Sequence, residues 1–330
     1  MNPRPSTRPS SGTRFVNRRG CCPPTPVPRC VSLTLLSVLI AGCSSTGPAR
    51  LAAQHDPADA PKGTLLIVGG GSQPQSLVRH FVDLAGGPGK ARIAILPMAT
   101  SEAAAAGAEK EAQLDSLGAD AFVVNVNRAH ADDDSVVRAL RVATGIWFPG
   151  GDQSKLTAAL NGSAALREIH ERFRSGSVVG GTSAGAAVMS DSMITGNQYW
   201  PGVATAVDSG SFSRIGRHAI EIVPGFGFVR NAIVDQHFIR RQRENRLFSV
   251  VLERPSLLGV GIDEGTALKV TPDGMWTVMG RGSVMILDAR RSRITPPDID
   301  ALGAVNVIVS VLPFGSTYNP RTGEAALPRR

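Results

Sequence analysis

SVVGGTSAGAAVM, residues 177–189, is the stretch around which the rest of the chain is organised. Its first half predicts a short buried strand at 178–179, and its run of small residues at 184–188 predicts the start of a helix. Between them stands a G-x-S-x-G motif with Ser183 as its central serine. In a strand-turn-helix context this motif is typical of a nucleophile elbow.

The chemistry of such an elbow depends on its backbone. A serine at a tight strand-to-helix turn is strained and exposes its hydroxyl, and the glycines remove Cβ atoms that would clash there. The helix that follows aims free N–H groups and its positive dipole end at the group under attack. The competing interpretation is a glycine-rich packing turn after a core strand. The flanking strand and helix signals favour Ser183 as a nucleophile.

Short apolar strands and longer helices alternate along the first half of the chain. This alternation predicts βαβ units, and therefore an α/β fold with a mostly parallel sheet covered by helices on both faces. The predicted strands are 64–71, 92–98, 121–126, 145–151 and the one from 178, and the predicted helices are 75–84, 102–117, 132–143, 153–160 and 164–174.

Glycine motifs fall at the carboxyl ends of predicted strands, GGG at 69–71 and GGD at 150–152. Ligands of open α/β sheets bind at these ends. The GGG motif does not fit a dinucleotide fingerprint, because Pro74 stands where a third small residue is needed and no acidic residue follows about twenty positions on.

Beyond Gly225 the patterns are less regular. A helix with a basic face is expected over 231–253, and a loose tail is expected from Tyr318. Strands are predicted at 257–270, 275–288 and 305–312, with a hairpin turn at 272–274.

The N-terminus reads as a lipoprotein leader. Arginines precede the apolar run 31–41, which is too short for a permanent membrane span and ends in Ile-Ala-Gly-Cys, similar to a bacterial lipobox. We expect a signal peptide at 1–42, lipidation of Cys43, a flexible tether at 43–62 and one domain at 63–330. The mature protein is then a lipid-anchored periplasmic or cell-surface lipoprotein; a plain secretory peptide with an incidental cysteine is the alternative.

Charge and cysteine content follow from that leader. The formal net charge is +8, but residues 1–42 hold six arginines and no Asp, Glu or Lys, leaving about +2 for the rest. Nucleic acid is therefore not an expected partner. All four cysteines lie at or before Cys43, so the domain can hold no disulfide, cysteine nucleophile or thiolate metal site. No metal and no cofactor are expected.

A serine nucleophile needs a general base, and His237 is the best placed histidine. It follows an apolar run that ends in polar residues, whereas the other five lie in the tether, on predicted helices or in loops: His55, His80, His130, His170 and His218. An arginine run follows His237. Such a run is usually a solvated helix face, but beside a catalytic histidine its guanidinium groups can bind substrate carboxylates.

Five segments in order resemble the cyanophycinase and peptidase E family of serine peptidases, and the DQHF…R-x-R-x-x-R block is similar to the cyanophycinase-like branch. The segments are LLIVGGGS (65–72), IWFPGGDQSKL (146–156), VGGTSAGAAVMSDSMI (179–194), IVDQHFIRRQRENRL (233–247) and GVGIDEGTAL (259–268). The resemblance implies a three-layer α/β/α sandwich like that of class I glutamine amidotransferases. It also implies a homodimer that cleaves cyanophycin, a polyaspartate with arginine on its β-carboxyls, to β-Asp-Arg dipeptides.

The resemblance further implies roles for individual residues. Ser183 becomes the nucleophile, His237 the general base, and the backbone N–H groups of Gly151 and Ala184 the oxyanion hole. Asp235 is expected to accept the guanidinium of the substrate. The full set of expected substrate-binding residues is Gln153, Asp235, Gln236, Arg241, Arg243 and Arg246.

One departure concerns the acid that orients the base. The family pattern places it fifteen to eighteen residues after the serine, where this chain has Gln-Tyr-Trp-Pro at 198–201. Asp208 is the nearest carboxylate and is the predicted acid. Three hypotheses stay open: a cyanophycinase-type exopeptidase, a peptidase for other isoaspartyl or α-aspartyl peptides, and a non-catalytic binding lipoprotein with a degenerate triad.

Overall fold

The computed structural model describes residues 61–199, 212 and 214–329. The predicted leader, the lipidation site Cys43, nearly all of the tether and Asp208 lie outside the described residues. The described chain is a mixed α/β domain with a large central sheet.

Helices cover the sheet much as the sequence pattern predicts. Those at 75–84, 153–160 and 164–174 have the predicted bounds. Two of them begin at side-chain caps, because Asp152 accepts a hydrogen bond from Ser154 N at 2.8 Å and Ser163 from Leu166 N at 3.0 Å. The helices within the described residues are Gln75–Leu84 (α1), Ala103–Asp115 (α2), Asp134–Arg141 (α3), Gln153–Leu160 (α4), Ala164–Arg174 (α5), Ala184–Ala187 (α6) and Glu244–Glu253 (α7). No helix among these is long and apolar enough to cross a membrane.

Within the described residues the strands divide between two larger sheets and two short ribbons. They are Leu65–Val68 (β1), Arg92–Ile95 (β2), Asp120–Val123 (β3), Gly145–Phe148 (β4), Val178–Thr182 (β5), Ser192–Gln198 (β6), Ile220–Pro224 (β7), Ala232–Gln236 (β8), Leu258–Ile262 (β9), Thr266–Val270 (β10), Trp276–Gly280 (β11), Ser283–Asp288 (β12), Arg293–Ile294 (β13), Ala304–Val305 (β14), Ile308–Pro313 (β15), Thr317–Tyr318 (β16) and Ala325–Ala326 (β17).

The main sheet has nine strands in the order β3-β2-β4-β5-β1-β10-β11-β16-β17. The first five are parallel, and β10, β11, β16 and β17 add antiparallel strands at the other side. The strands β1, β4 and β5 are fully buried, because helices or a second sheet cover both faces. The predicted α/β class with a mostly parallel central sheet is confirmed.

The sequence did not predict the second sheet, whose strands have the order β15-β12-β9-β8. One of its faces contributes Val260 and Ile286 to the core shared with the main sheet. Its other face packs Ile233 and Leu287 against Leu247 and other apolar residues of α7. The parallel pair β8 and β9 places two carboxyl strand ends side by side, which becomes important at the site.

Several predictions for the second half are wrong. The helix expected over 231–253 begins only at Glu244, because the β-branched run before it pairs with β9 as strand β8. The strands expected at 257–270 and 275–288 each split in two, since the chain crosses from one sheet to the other within each segment. The tail from Tyr318 is not loose, because β16 and β17 pair at the edge of the main sheet.

Candidate active site

Ser183 stands at the junction predicted from the sequence, between the end of β5 and the start of α6. Its backbone has φ 54° and ψ −111°, a strained conformation for a residue with a side chain. The Ser183 N–H donates to Val68 O at 3.0 Å, which fixes the turn against the end of β1. A Cβ on Gly185 would lie 2.8 Å from Phe148 Cβ, so the close approach requires glycine there.

His237 directly follows β8, and its side chain points at the serine. Its Nε2 lies 2.9 Å from Ser183 Oγ. Its backbone also has a positive φ, 47°, and its N–H donates to Gly69 O at 2.6 Å. The structure therefore places the sequence-predicted nucleophile and base within hydrogen-bond distance.

The carboxylate on the other side of the imidazole is Glu264, whose Oε1 lies 2.6 Å from His237 Nδ1. It follows β9, the parallel neighbour of β8, so both side chains emerge at the same sheet edge. The sequence interpretation named Asp208 and missed Glu264, although Asp-Glu-Gly stands in the quoted segment 259–268. The sequence signal that could have identified Glu264 is the presence of polar residues directly after a buried strand.

Burial and the hydrogen bond between the two side chains set the pKa values of His237 and Glu264. Partial burial lowers the pKa of His237 below its ordinary value of 6.5; the hydrogen bond to Glu264 opposes that effect and the Arg241 charge adds to it. The hydrogen bond to His237 lowers the pKa of Glu264. The imidazole is therefore neutral at pH 7, and Glu264 is an ionised acceptor for its Nδ1–H. This is the protonation state that a general base requires.

The GGG motif at 69–71 makes room for this pair. A Cβ on Gly70 would lie 2.8 Å from His237 Cδ2 and closer still to Nε2, and one on Gly71 would lie 2.8 Å from Glu264 Cβ. Both glycines also have positive φ, at 106° and 68°. Because these glycines have no side chains, the base and its acid can pack directly against the turn that follows β1.

Replacement of Gly70 by alanine should have two effects: an added Cβ that collides with His237, and the backbone strain of a side chain at positive φ. A control variant with the strain but not the collision separates them. Gly87→Ala is the matched control, because Gly87 also has a positive φ, 83°, but nothing lies within 4 Å of its added Cβ. Both variants should lose about 1 kcal/mol of unfolding free energy. Only Gly70→Ala should lose activity, by about 100-fold, because the imidazole is displaced. Equal kcat values for the two variants, measured beside their thermal melts, would contradict this account.

The residues expected to form the oxyanion hole lie beside Ser183. A Cβ on Gly150 would be 3.4 Å from Ser183 Cβ, so the 150–151 turn borders the serine. Gly151 has φ 140° and packs against Ala99. Ala184 begins α6, where the first N–H groups have no acceptor within the helix. The roles of Gly151 and Ala184 stay predictions.

Two glutamines of the expected pocket contact residues of the domain itself. The Gln236 Oε1 atom lies 3.4 Å from Ser183 Oγ, farther than His237 Nε2. Gln153 is buried, and its Nε2 donates to Ile194 O at 2.9 Å and also to Thr195 O. Gln153 therefore joins the turn after β4 to strand β6.

The arginine run after His237 divides into two parts. Arg240 and Arg241 are exposed, whereas Arg243 and Arg246 are buried. Arg246 binds Asp235 through both carboxylate oxygens, with Nε to Oδ2 at 2.6 Å. The neighbouring Arg243 Nη1 donates to Gln236 O at 2.6 Å. Only the first part can reach a ligand without rearrangement.

The prediction that Asp235 accepts a substrate guanidinium does not fit this geometry. Asp235 is 1% exposed, and Gln236 N also donates to its Oδ1 at 2.8 Å. Its acceptor sites are used by Arg246 and by the backbone. The Asp235–Arg246 pair instead joins β8, the strand that leads to His237, to helix α7.

Breaking this buried pair should destabilise the domain far more than breaking an exposed one. Asp235→Asn should lower the free energy of unfolding by about 3–5 kcal/mol, because the Arg246 charge stays buried without a counter-ion. The control Asp120→Asn breaks the Arg92–Asp120 pair, whose side chains are 49% and 66% exposed, and should cost about 1 kcal/mol or less. Urea unfolding of the two variants measures the difference, and similar losses would contradict the structural role.

Three of the other described histidines have their partners outside this centre. His130 pairs with Asp133, His218 with Glu253, and His170 stacks on Phe228, with 4.3 Å between ring centroids. Within residues 61–199, 212 and 214–329, no group of three or more His, Cys, Asp or Glu side chains is arranged to hold a metal ion.

Comparison with known proteins places the chain in a family. The model described as Peptidase family S51 matches residues 65–278. The chain belongs to peptidase family S51. As a member of that family it is a serine-type peptidase, and the matched range includes Ser183, His237 and Glu264.

This S51 peptidase has relatives that it covers over most of their length. It is 33% identical over 270 residues to the cyanophycinase of Trichormus variabilis, covering 79% of this chain and 86% of that protein. It is 34% identical over 272 residues to the cyanophycinase of Synechococcus elongatus, with 79% and 80% covered. The crystal structure of a peptidase from an acI-B1 Actinobacterium matches with a TM-score of 0.55 at 24% identity, covering 76% of this chain and 98% of that one. The structural match shows the shared fold.

Proposed function

We propose that this S51 peptidase is an exopeptidase that cleaves cyanophycin, releasing β-Asp-Arg dipeptides through an acyl-enzyme. The observation that carries the proposal is the continuous chain of contacts Ser183 Oγ–His237 Nε2–Glu264 Oε1 beside the 150–151 turn. The cyanophycinases among its relatives support the choice of substrate.

The proposed reaction uses this geometry directly. Neutral His237 removes the proton of Ser183 as Oγ attacks the scissile carbonyl carbon, and Glu264 stabilises the imidazolium through Nδ1–H. The N–H groups of Gly151 and Ala184 stabilise the tetrahedral oxyanion. His237 then protonates the leaving amine, the C–N bond breaks, and the acyl group stays on Ser183. Water, deprotonated by His237, releases the carboxylate product and regenerates the hydroxyl.

Substrate selection is proposed to begin with the exposed arginines. Arg241 lies close enough to lower the pKa of His237, so its charge acts at the reacting centre. A guanidinium there can bind a free carboxylate of an aspartyl polymer with two hydrogen bonds. The buried side of the pocket is proposed to be formed by Gln153, Gln236, Arg243 and Arg246.

Incubation with insoluble cyanophycin tests the substrate, with mass spectrometry of the soluble products. We expect β-Asp-Arg from the wild type and none from Ser183→Ala. Cleavage of other isoaspartyl or α-aspartyl peptides without release from cyanophycin would select the second hypothesis. Polymer binding without any peptide cleavage by the folded wild type would select the binding lipoprotein.

The acidic limb of the pH profile should report the environment of His237. Because the pKa of His237 is lowered, the base stays neutral below pH 6.5, and kcat/KM should fall only at lower pH. Arg241→Gln removes a charge that lowers this pKa, so the limb should move to higher pH. Arg240→Gln is the comparison variant, because the charge of Arg240 lowers the pKa of Glu264 and is not among the main causes of the shift at His237, so the limb should move less than in Arg241→Gln. A limb that is unmoved in Arg241→Gln would exclude this coupling.

We propose from the sequence alone that the protein is exported and lipid-anchored at Cys43. Incorporation of radiolabelled palmitate into the wild type but not Cys43→Ser would support the anchor, and equal incorporation would reject it. We also propose a homodimer, as the family resemblance implies. Sedimentation velocity of the protein in detergent tests it, and a monomer at every concentration would reject it.

A further inference from the structure

A cavity of about 810 Å³ lies at the end of the sheets opposite the candidate active site. Leu65 and Leu258, the first residues of β1 and β9, belong to its wall, as does Asn231 directly before β8. The far ends of β8 and β9 lead to His237 and Glu264. About five residues of strand, roughly 15 Å, separate this cavity from the triad. It is therefore distinct from the site that cleaves peptides.

One part of the cavity wall is aromatic and apolar. The rings of His170 and Phe228 stack at 4.3 Å, and Phe173 meets Phe228 edge-on at 5.4 Å. Trp276 and Val270 add apolar surface. The volume lies within the range of roughly 300–1,000 Å³ that is typical of pockets for small organic molecules.

Positive charge predominates among the polar wall residues that the structure describes. They include Arg174, Arg230, Arg290 and Arg321 but only one carboxylate, Asp273. Ion pairs reduce at least two of these charges, because Glu171 pairs with Arg174 and Asp288 pairs with Arg290, each at 2.7 Å.

Arg321 is placed to meet a ligand. It is exposed, and a Cβ added to Gly274 would be 3.5 Å from its Nη2, so the guanidinium lies along the wall. The pKa of Asp273 on the same wall is lowered mainly by hydrogen bonds from Thr271 and from Met275 N, and the charge of Arg321 adds to this shift.

The stacked imidazole adds to this environment. Burial is the main cause of the lowered pKa of His170; its hydrogen bond to Phe226 O opposes the shift, and the charges of Arg174 and Arg230 add to it. The ring is therefore neutral and presents an aromatic surface beside cationic groups.

We propose that this cavity binds an amphipathic organic anion, with an aromatic or aliphatic body against Phe228 and Trp276 and a carboxylate or sulfonate at Arg321. An apolar wall with arginines at its rim matches both halves of such a molecule. The peptidase mechanism uses none of these side chains, so the cavity is a second site on the domain.

The probe is 8-anilinonaphthalene-1-sulfonate, titrated into the full chain and followed by fluorescence. We expect one saturable site, displaced by indole-3-acetate but not by tryptamine, its cationic counterpart in shape. Arg321→Glu should weaken binding about tenfold or more, because attraction becomes repulsion. Asp273→Asn should strengthen binding, whereas Arg79→Glu, an exposed residue of α1 outside the cavity, should not change it.

Each outcome decides the proposal. Absence of saturable binding, displacement by tryptamine as readily as by indole-3-acetate, or equal affinity in Arg321→Glu and Arg79→Glu would overturn it. Binding that appears only after removal of residues 1–60 would assign the cavity to the chain's own N-terminal segment and would also overturn it. Because Arg321 is exposed, its variant should fold, and a thermal melt checks this.

Discussion

Ser183→Ala should lower kcat on the polymer by roughly 10⁴-fold or more, because the attacking oxygen is lost. The structure gives the reason: Ser183 Oγ is the atom that His237 Nε2 contacts at 2.9 Å, beside the turn that carries Gly151. Substrate binding should persist, because neither the backbone nor the arginines change. Measurement of KM or direct binding beside kcat separates the two effects.

The control for this variant is Ser101→Ala, an exposed serine that precedes α2. It should leave kcat within about twofold, as is usual for surface positions. Both variants should melt close to the wild type. Retention of more than a hundredth of the activity by folded Ser183→Ala would rule out a covalent mechanism at this serine.

Glu264→Gln should lower kcat by roughly 10²–10⁴-fold, since the amide can no longer stabilise the imidazolium or enforce the tautomer of His237. The 2.6 Å contact with Nδ1 is the physical basis. The acidic limb of the pH profile should also move to lower pH, because Glu264 favours the protonated imidazole. A merely structural loss would lower kcat without moving that limb.

Asp208→Asn is the decisive companion, because the sequence pattern pointed to Asp208 and the structure places Glu264 against the histidine. We expect Asp208→Asn to keep kcat within about twofold of the wild type. The reverse pattern, an inactive Asp208→Asn and an active Glu264→Gln, would restore the acid predicted from the sequence.

The sequence predicted well those features that depend on local pattern. Helices α1, α4 and α5 have the predicted bounds, and the elbow at Ser183 stands between a buried strand and a helix. These elements are set by residues near each other in the chain, namely apolar periodicity, caps and glycines.

Local sequence patterns did not predict which strands pair when they lie far apart in the chain. The apolar run at 232–234 is too short for a periodicity that separates a strand from a buried helix, and pairing of segment 232–236 with β9 makes it a strand. Glu264 acquires its contact only because β8 and β9 lie side by side. The GGG motif at 69–71 likewise has its physical explanation in His237 and Glu264, which lie far along the chain.

Asp235 illustrates a second limit. A polar residue before His237 in a strand suggests a ligand-binding role, but Asp235 is only 1% exposed and its carboxylate binds Arg246. The spacing of eleven residues gives no hint of that pairing until β8 and α7 are packed together.

The most direct test of the account is covalent labelling with a fluorophosphonate, mapped to the modified residue by mass spectrometry. We expect a single adduct on Ser183, whose formation is slowed by added cyanophycin and slowed about 100-fold or more in His237→Gln, since the base activates the nucleophile. A wild type that cleaves the polymer yet is labelled elsewhere, or at Ser183 with a rate unchanged in His237→Gln, would contradict it.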